Sequence, residues 1–148
     1  GSDQLPLSWL LTSRSVGQQC AALPLLRAED GRVIVALVTS RETKRWVLPK
    51  GWAKPGRPLY ETAADEAREE AGLVGEIGRE AIGRYSYRKR LHLLASMMCE
   101  GDVFKLEVKE RLPTWPEKAE RSVMFFPPNE AAGLVQEPEL AALLRGIE

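Results

Sequence analysis

The stretch Gly51–Leu73, GWAKPGRPLYETAADEAREEAGL, decides how the rest of this chain is read. With Lys50 before it, its first part is a Gly/Pro loop, Lys50–Arg57. Pro58 suits the first turn of a helix, where its missing N–H costs nothing. From there the pattern predicts a helix to about Ala71, with Gly72 as a good C-terminal stop. Ala63, Ala64, Ala67 and Ala71 give that helix small, close-packing side chains. Between Glu61 and Glu70 it carries five acids and one base, Arg68. Glu61–Asp65, Asp65–Glu69 and Glu66–Glu70 are like-charge i,i+4 pairs, and Glu66–Glu69 is i,i+3. At roughly 0.2–0.5 kcal/mol per pair the repulsion costs about 1–2 kcal/mol. The helix N-terminus relieves Glu61, but Glu66, Glu69 and Glu70 lie too far along. A divalent cation would offset the cost. The three glutamates project from one side of the helix, so their carboxylates can converge on one volume. All-oxygen ligation selects Mg²⁺ or Mn²⁺ over zinc, and Mg²⁺ commonly takes substrate phosphates as further ligands. Standing alone, such a helix would be a solvated acidic face. Placed after a Gly-containing loop, it suggests metal-assisted attack of water on a phosphate ester or anhydride.

Upstream, Gln19–Leu26 and Val33–Thr39 are apolar runs separated by the turn cluster Arg27–Gly31, which reads as a hairpin. Pro24 favours an edge or a bulge in the first of these strands. Arg45–Leu48 is a third short strand, stopped by Pro49. Downstream, strands are expected over Ile82–Tyr87, Leu93–Cys99, Val103–Val108 and Val123–Phe126. Asn129–Leu134 and Pro138–Leu144 look like two short helices. Many strands around one mid-chain helix, with a helical C-terminal part, argue for an α/β fold: a mixed sheet with helices on its faces. Ser8–Gly17 has no clear assignment.

The chain has 148 residues, which predicts one domain. Twenty-one Lys plus Arg balance 21 Asp plus Glu, which argues against a generally basic nucleic-acid binder and against an acidic disordered tail. Cys20 and Cys99 form no CxxC or Cys/His cluster, so neither a structural zinc site nor a disulfide scaffold is expected. They read as two buried free thiols. No apolar run approaches the roughly 18 residues of a membrane span. The first residues lack the order of a secretory signal, which gives a cytoplasmic expectation. His92 is the single histidine, and nothing supplies the other members of a Ser or Cys triad.

Gly51–Leu73 resembles the Nudix box, G-x5-E-x7-R-E-U-x-E-E-x-G-U with U apolar. Gly51, Glu66, Ala67, Glu69, Glu70, Gly72 and Leu73 match at the required spacing. Thr39-Ser40-Arg41 and Arg45–Pro49 are similar to the strand that enters the box. Arg88-Lys89-Arg90, Val103–Leu112, Trp115 and Arg121–Phe126 are similar to the diphosphoinositol polyphosphate phosphohydrolase branch. The resemblance implies a Nudix-type α/β/α sandwich with a central mixed sheet, spanning the chain as one domain apart from the unassigned residues 1–18. It implies Mg²⁺, or Mn²⁺, held by the Lys50 carbonyl, Glu66 and Glu70. Glu69 would be the general base or a further metal ligand. Glu117 could add a late carboxylate.

Two positions depart from the box: Arg57 stands where the family has Glu, and Asp65 where it has Arg. The two changes swap both charges, so a reversed Arg57–Asp65 ion pair could restore the support those positions give the helix.

Phosphates need cations. The candidates around the substrate are Thr39, Ser40, Arg41, Arg88, Lys89, Arg90 and Arg121, with Lys50 and Lys54 as further bases. Trp46 and Trp115 read as packing residues, and Trp52 as a loop anchor or a cover for a base. The expected activity is Mg²⁺-dependent hydrolysis of a diphosphate or polyphosphate linkage, with diphosphoinositol polyphosphates or dinucleoside polyphosphates favoured. The alternatives are an RNA 5′-end or nucleotide pyrophosphohydrolase, and a Nudix-fold sensor that binds a phosphorylated metabolite without cleaving it. No membrane and no stable nucleic-acid partner are expected, and a homodimer is open.

Overall fold

The computed structural model describes residues 16–147. Most of Ser8–Gly17 therefore lies outside the described residues. The elements run β1 (Gly17–Arg27), β2 (Val33–Thr39), β3 (Trp46–Val47), β4 (Lys50–Trp52), α1 (Leu59–Ala71), β5 (Leu73–Ile77), β6 (Gly83–His92), β7 (Ala95–Arg111), β8 (Val123–Phe126), α2 (Pro128–Leu134) and α3 (Pro138–Arg145). The strands form one mixed sheet. β1 and β7 lie parallel at its centre, and the other pairings are antiparallel.

Alternation along β1 builds two cores, one on each side of the sheet. Ala21, Leu23 and Leu25 pack with Val35, Leu37, Tyr85, Tyr87, Leu140 and Leu144, under α2 and α3. Cys20 and Ala22 pack with Ala36, Val38, Phe104, Leu106 and the alanines of α1. The result is the expected α/β/α arrangement. Ala63, Ala67 and Ala71 let α1 lie close on the sheet, which fixes its acidic positions relative to β4.

Four strand expectations change. Lys50–Trp52 is a strand, not loop: Gly51 pairs with Cys20 of β1. Leu73–Ile77, unassigned in the sequence, pairs with the end of β7 through a bulge at Val74/Gly75. The segments read as two strands at 93–99 and 103–108 fall, apart from Leu93 and Leu94 in the hairpin turn, in one 17-residue strand, β7. Its Glu-Gly-Asp interruption resembles a turn. However, Asp102 is buried inside the strand, where Arg84 Nε donates to it at 2.7 Å and Gln18 Nε2 at 3.1 Å. Finally, Pro24 lies in a central strand. β4 covers one edge of β1 at Gln19–Ala21 and β2 takes over at Leu25–Arg27. Ala22 N still donates across that edge to Pro49 O. Pro24 has the same parity and falls in the handover, where no N–H is needed.

Cys20 and Cys99 are free, buried and in different cores. Burial pushes the thiols up to about 12 and about 11, so neither is a nucleophile near neutral pH.

Candidate active site

The acidic helix delivers two of its glutamates to the interior. Glu66 is fully buried and Glu70 is 2% exposed. Glu66 crosses onto Gly51 of β4: a Cβ there would stand 2.5 Å from its carboxylate carbon and from Oε2. A glycine at this position is what lets the carboxylate lie against the strand. Glu70 sits one turn further along. Burial pushes its carboxyl upward, Arg121 opposes that, and the close Glu66 carboxylate pushes it up again. Oε2 of Glu70 accepts no hydrogen bond. Two buried carboxylates in contact need a shared proton or a cation between them. An all-oxygen pair of this kind suits a hard divalent cation.

The C-terminal end of α1 is held by side chains far away in sequence. Gly72 adopts φ +67°, and its N–H donates to Arg68 O. A side chain there would run into the Trp115 ring. Trp115 Nε1 donates to Glu70 O at 3.2 Å, satisfying one of the orphan carbonyls of the last turn. Glu117 N donates to Glu69 O at 3.0 Å. Trp115 is thus a packing residue, as expected, and it also fixes the backbone of Glu70. The other end of α1 carries the reversed pair: Arg57 Nη2 donates to Asp65 Oδ2 at 2.6 Å, and Arg57 also lies 3.7 Å from Glu61.

A third buried carboxylate, Glu117, faces the same region. Its Oε1 accepts from Arg121 Nε at 2.7 Å and from Arg41 Nη2 at 3.1 Å. Arg121 is almost fully buried, lies 3.8 Å from Glu70 Oε1, and donates Nη1 to Thr39 O. Thr39 is buried too, and its Oγ1 accepts from Ser122 N. Carboxylates and guanidinium groups thus alternate around the helix end. This arrangement keeps the acids close without summing their repulsion.

Above this cluster opens a cleft of about 330 Å³, within the roughly 300–1,000 Å³ of small-molecule sites. Ser40, Arg41, Arg45, Lys50, Glu70, Tyr87, Lys89, Arg121 and Glu137 are among the residues lining it. Burial lowers the Lys50 ammonium below its ordinary value, Glu70 opposes this, and Lys89 lowers it further. The Lys50 ammonium lies 5.1 Å from the centre of the Tyr87 ring, and that of Lys89 lies 5.9 Å from the Trp52 ring. The Tyr87 hydroxyl donates to Gln19 Oε1, and the ring stacks on Tyr85. Trp52 is buried in the core beneath Lys89, and so serves as an anchor rather than as a lining residue of the cleft.

The cleft therefore gathers Ser40, Arg41, Arg88, Lys89, Arg90 and Arg121 with Lys50 and Glu70. Thr39 lies behind Arg121 as a support. Lys54 is exposed and does not line the cleft, and nor does Glu69, which is half-buried beside Arg68 at 3.8 Å. Among the described residues no three His, Cys, Asp or Glu side chains converge as a ready metal cage. All three residues of the basic triplet line the cleft, but strand alternation gives them different surroundings. Lys89 is half-buried on the Tyr87 side, whereas Arg88 is exposed and donates to Ser96 Oγ across the hairpin. His92 is exposed at the hairpin end, where its Nδ1 accepts from Leu94 N. Sequence reasoning missed Arg45, Tyr87 and Glu137, which line the cleft. They belong to no charge cluster, and only tertiary packing, including that of α3 on β6, brings them together.

A family model described as NUDIX domain matches residues 18–145. The chain belongs to the Nudix hydrolase family. It is 32% identical to "Nudix hydrolase 16, mitochondrial" of Arabidopsis thaliana over 124 residues, covering 80% of this chain and 68% of that protein. It is 30% identical to "Nudix hydrolase 13, mitochondrial" of the same plant over 110 residues, covering 71% of this chain and 54% of that protein. The chain thus spans about half to two thirds of the length of the curated relatives it matches. Among solved structures it is similar to a C. elegans Ap4A hydrolase in a binary complex, with a TM-score of 0.64 and 18% identity over 88% of this chain and 93% of that one. It is also similar to a NUDIX hydrolase from Nitrosomonas europaea, with a TM-score of 0.66 and 15% identity over 88% of this chain and 87% of that one. At those identities the structural likeness concerns the fold.

Proposed function

We propose that this chain hydrolyses a phosphoric anhydride in a diphosphate or polyphosphate derivative of a nucleoside or an inositol phosphate, with Mg²⁺ as cofactor. The observation that carries the proposal is the buried Glu66–Glu70 carboxylate contact, with Glu70 on the wall of a cleft lined by Lys50, Lys89 and Arg121 and Glu66 buried behind it. Glu66, Glu70 and the Lys50 carbonyl would hold the cation. Bound there, Mg²⁺ supplies charge neutralisation and an easily deprotonated water. Lys50, Lys89 and Arg41 bind the phosphate chain, the two lysines as point charges and the arginine as a fork. Arg121 holds Glu70 and Glu117 in place and offers its charge to the same region. Glu69, at the half-buried edge, stays open between proton acceptor and additional ligand. Gly51 and Trp115 orient the two buried carboxylates, one from the strand side and one from the helix end.

Among substrates, dinucleoside polyphosphates gain some support from the Ap4A hydrolase neighbours, and diphosphoinositol polyphosphates from the basic hairpin. A pure sensor is the weaker reading, because the Arg57–Asp65 pair restores by reversed charges the support that the two box departures would otherwise remove. The test is release of phosphate and pyrophosphate from a panel: diphosphoinositol polyphosphates, diadenosine polyphosphates, ADP-ribose, capped and triphosphorylated RNA ends, and nucleoside triphosphates. Mg²⁺-dependent turnover that chelator abolishes supports the hydrolase, and the best substrate assigns the branch. Binding without turnover across the panel would favour the sensor.

A further inference from the structure

Glu137 stands where a helix cap is usual, immediately before Pro138, yet its side chain caps nothing. The α3 cap has no side-chain hydrogen bond, although the Glu137 carbonyl does accept from Ala141 N at 3.0 Å. The side chain turns to the cleft instead, and Glu137 is one of the residues lining it. It is 9% exposed, and Oε1 is buried without a hydrogen-bond partner. Its nearest cation, Arg45, approaches Oε2 only to 3.8 Å and spends Nη1 on Gln136 Oε1 at 2.7 Å. A buried carboxylate with an unfilled acceptor is costly, and a donor that arrives with a ligand recovers that cost.

Phosphate oxygens cannot fill it. They are acceptors and anions, and Glu137 repels them. The cleft therefore has two chemically different parts. Lys50, Lys89 and Arg121 attract phosphate, while Glu137 beside Arg45 accepts from O–H or N–H. We infer that Glu137 is a specificity-determining residue that reads a hydrogen-bond donor on the non-phosphate half of the substrate, a polyol hydroxyl or a nucleobase N–H. This orients the substrate, with its phosphates toward the Glu70 wall and its neutral ring toward α3. The inference rests on the proposed hydrolase reading of the same cleft.

The experiment compares wild type with Glu137→Gln and Glu137→Ala on organic substrates and on inorganic tripolyphosphate, which has phosphates but no neutral donor group. Binding of a nucleoside monophosphate, an inositol phosphate and inorganic phosphate is measured by calorimetry in chelator. Thermal melting of each variant checks the fold. Expected is a rise in KM of roughly tenfold or more for the organic substrate in Glu137→Ala, with kcat little changed. Tripolyphosphate turnover should stay constant or improve as the repelling charge is lost. The monophosphate or the inositol phosphate should lose affinity while inorganic phosphate does not, and which of the two loses it tells whether a base or a polyol is read. An equal fall on organic and inorganic substrates would overturn the inference and make Glu137 part of the general machinery. Unchanged kinetics on all of them would also overturn it, leaving the acceptor to an ordered water. If wild type turns over nothing, the hydrolase reading fails. Selective loss of monophosphate or inositol phosphate binding then still decides the role of Glu137.

Discussion

Arg57 and Asp65 reverse the charges that the family carries at their positions, and they meet at 2.6 Å. Both are partly exposed, so the pair is worth at most about 1 kcal/mol. Arg57→Glu would set a third acid beside Asp65 and Glu61, and urea unfolding should read a loss of about 1 kcal/mol or more. Adding Asp65→Arg should recover most of it. Additive losses in the double variant would contradict the pairing. At Glu70 the sign is different. Its carboxyl is raised from 4.5 to about 8 by burial, so the folded state holds the proton more tightly than the unfolded one. That contribution is complete below 4.5 and disappears as pH rises through about 8. Metal-free protein should therefore melt at falling temperatures across that window, and Mg²⁺ should cancel the decline by replacing the proton. Parallel melting curves with Mg²⁺ and with chelator would argue against a cation at this carboxylate.

At the scale of elements, α1 was fully legible in its sequence, because loop, alanine face, acids and stop glycine all agree. Its C-terminal anchor was not, because Trp115 lies 45 residues from Glu70. Gly72→Ala should cost about 2 kcal/mol or more, combining positive φ with the clash against Trp115. Trp115→Phe keeps the packing but loses the N–H to Glu70 O, so it should cost about 1 kcal/mol. Chemical denaturation separates the two. The short β4 hid inside a Gly/Pro loop, and β7 hid behind a Gly-Asp pair that an Arg–Asp contact across the hairpin makes tolerable. The triplet Arg88-Lys89-Arg90 reads in sequence as three equivalent cations, and all three line the cleft, but only Lys89 is half-buried there, over the Trp52 ring. Lys89→Ala should raise KM for a polyphosphate substrate by roughly tenfold, and Arg88→Ala by less than about twofold. Equal effects would contradict this ranking of Lys89 over Arg88.

Over the whole molecule, the sequence carries the fold class and the acidic half of the cleft, because both follow from local spacing. It does not carry the opposite wall. Tyr87 of β6, Arg45 just before β3 and Glu137 just before α3 come from distant parts of the chain, and only tertiary packing, including that of α3 on β6, makes them neighbours. Zero net charge likewise conceals a separation of charge, with acids on α1 and bases around the cleft above them. Polyphosphate binding should therefore weaken with salt even though the chain is neutral. The central claim is that Glu66 and Glu70 together make one divalent-cation site. Manganese titration followed by electron paramagnetic resonance tests it on wild type, Glu66→Gln and Glu70→Gln, with circular dichroism as a check on the fold. The account predicts one tight Mn²⁺ site in wild type that Mg²⁺ displaces, and that either folded variant loses or greatly weakens. Wild-type affinity retained in both variants would contradict it.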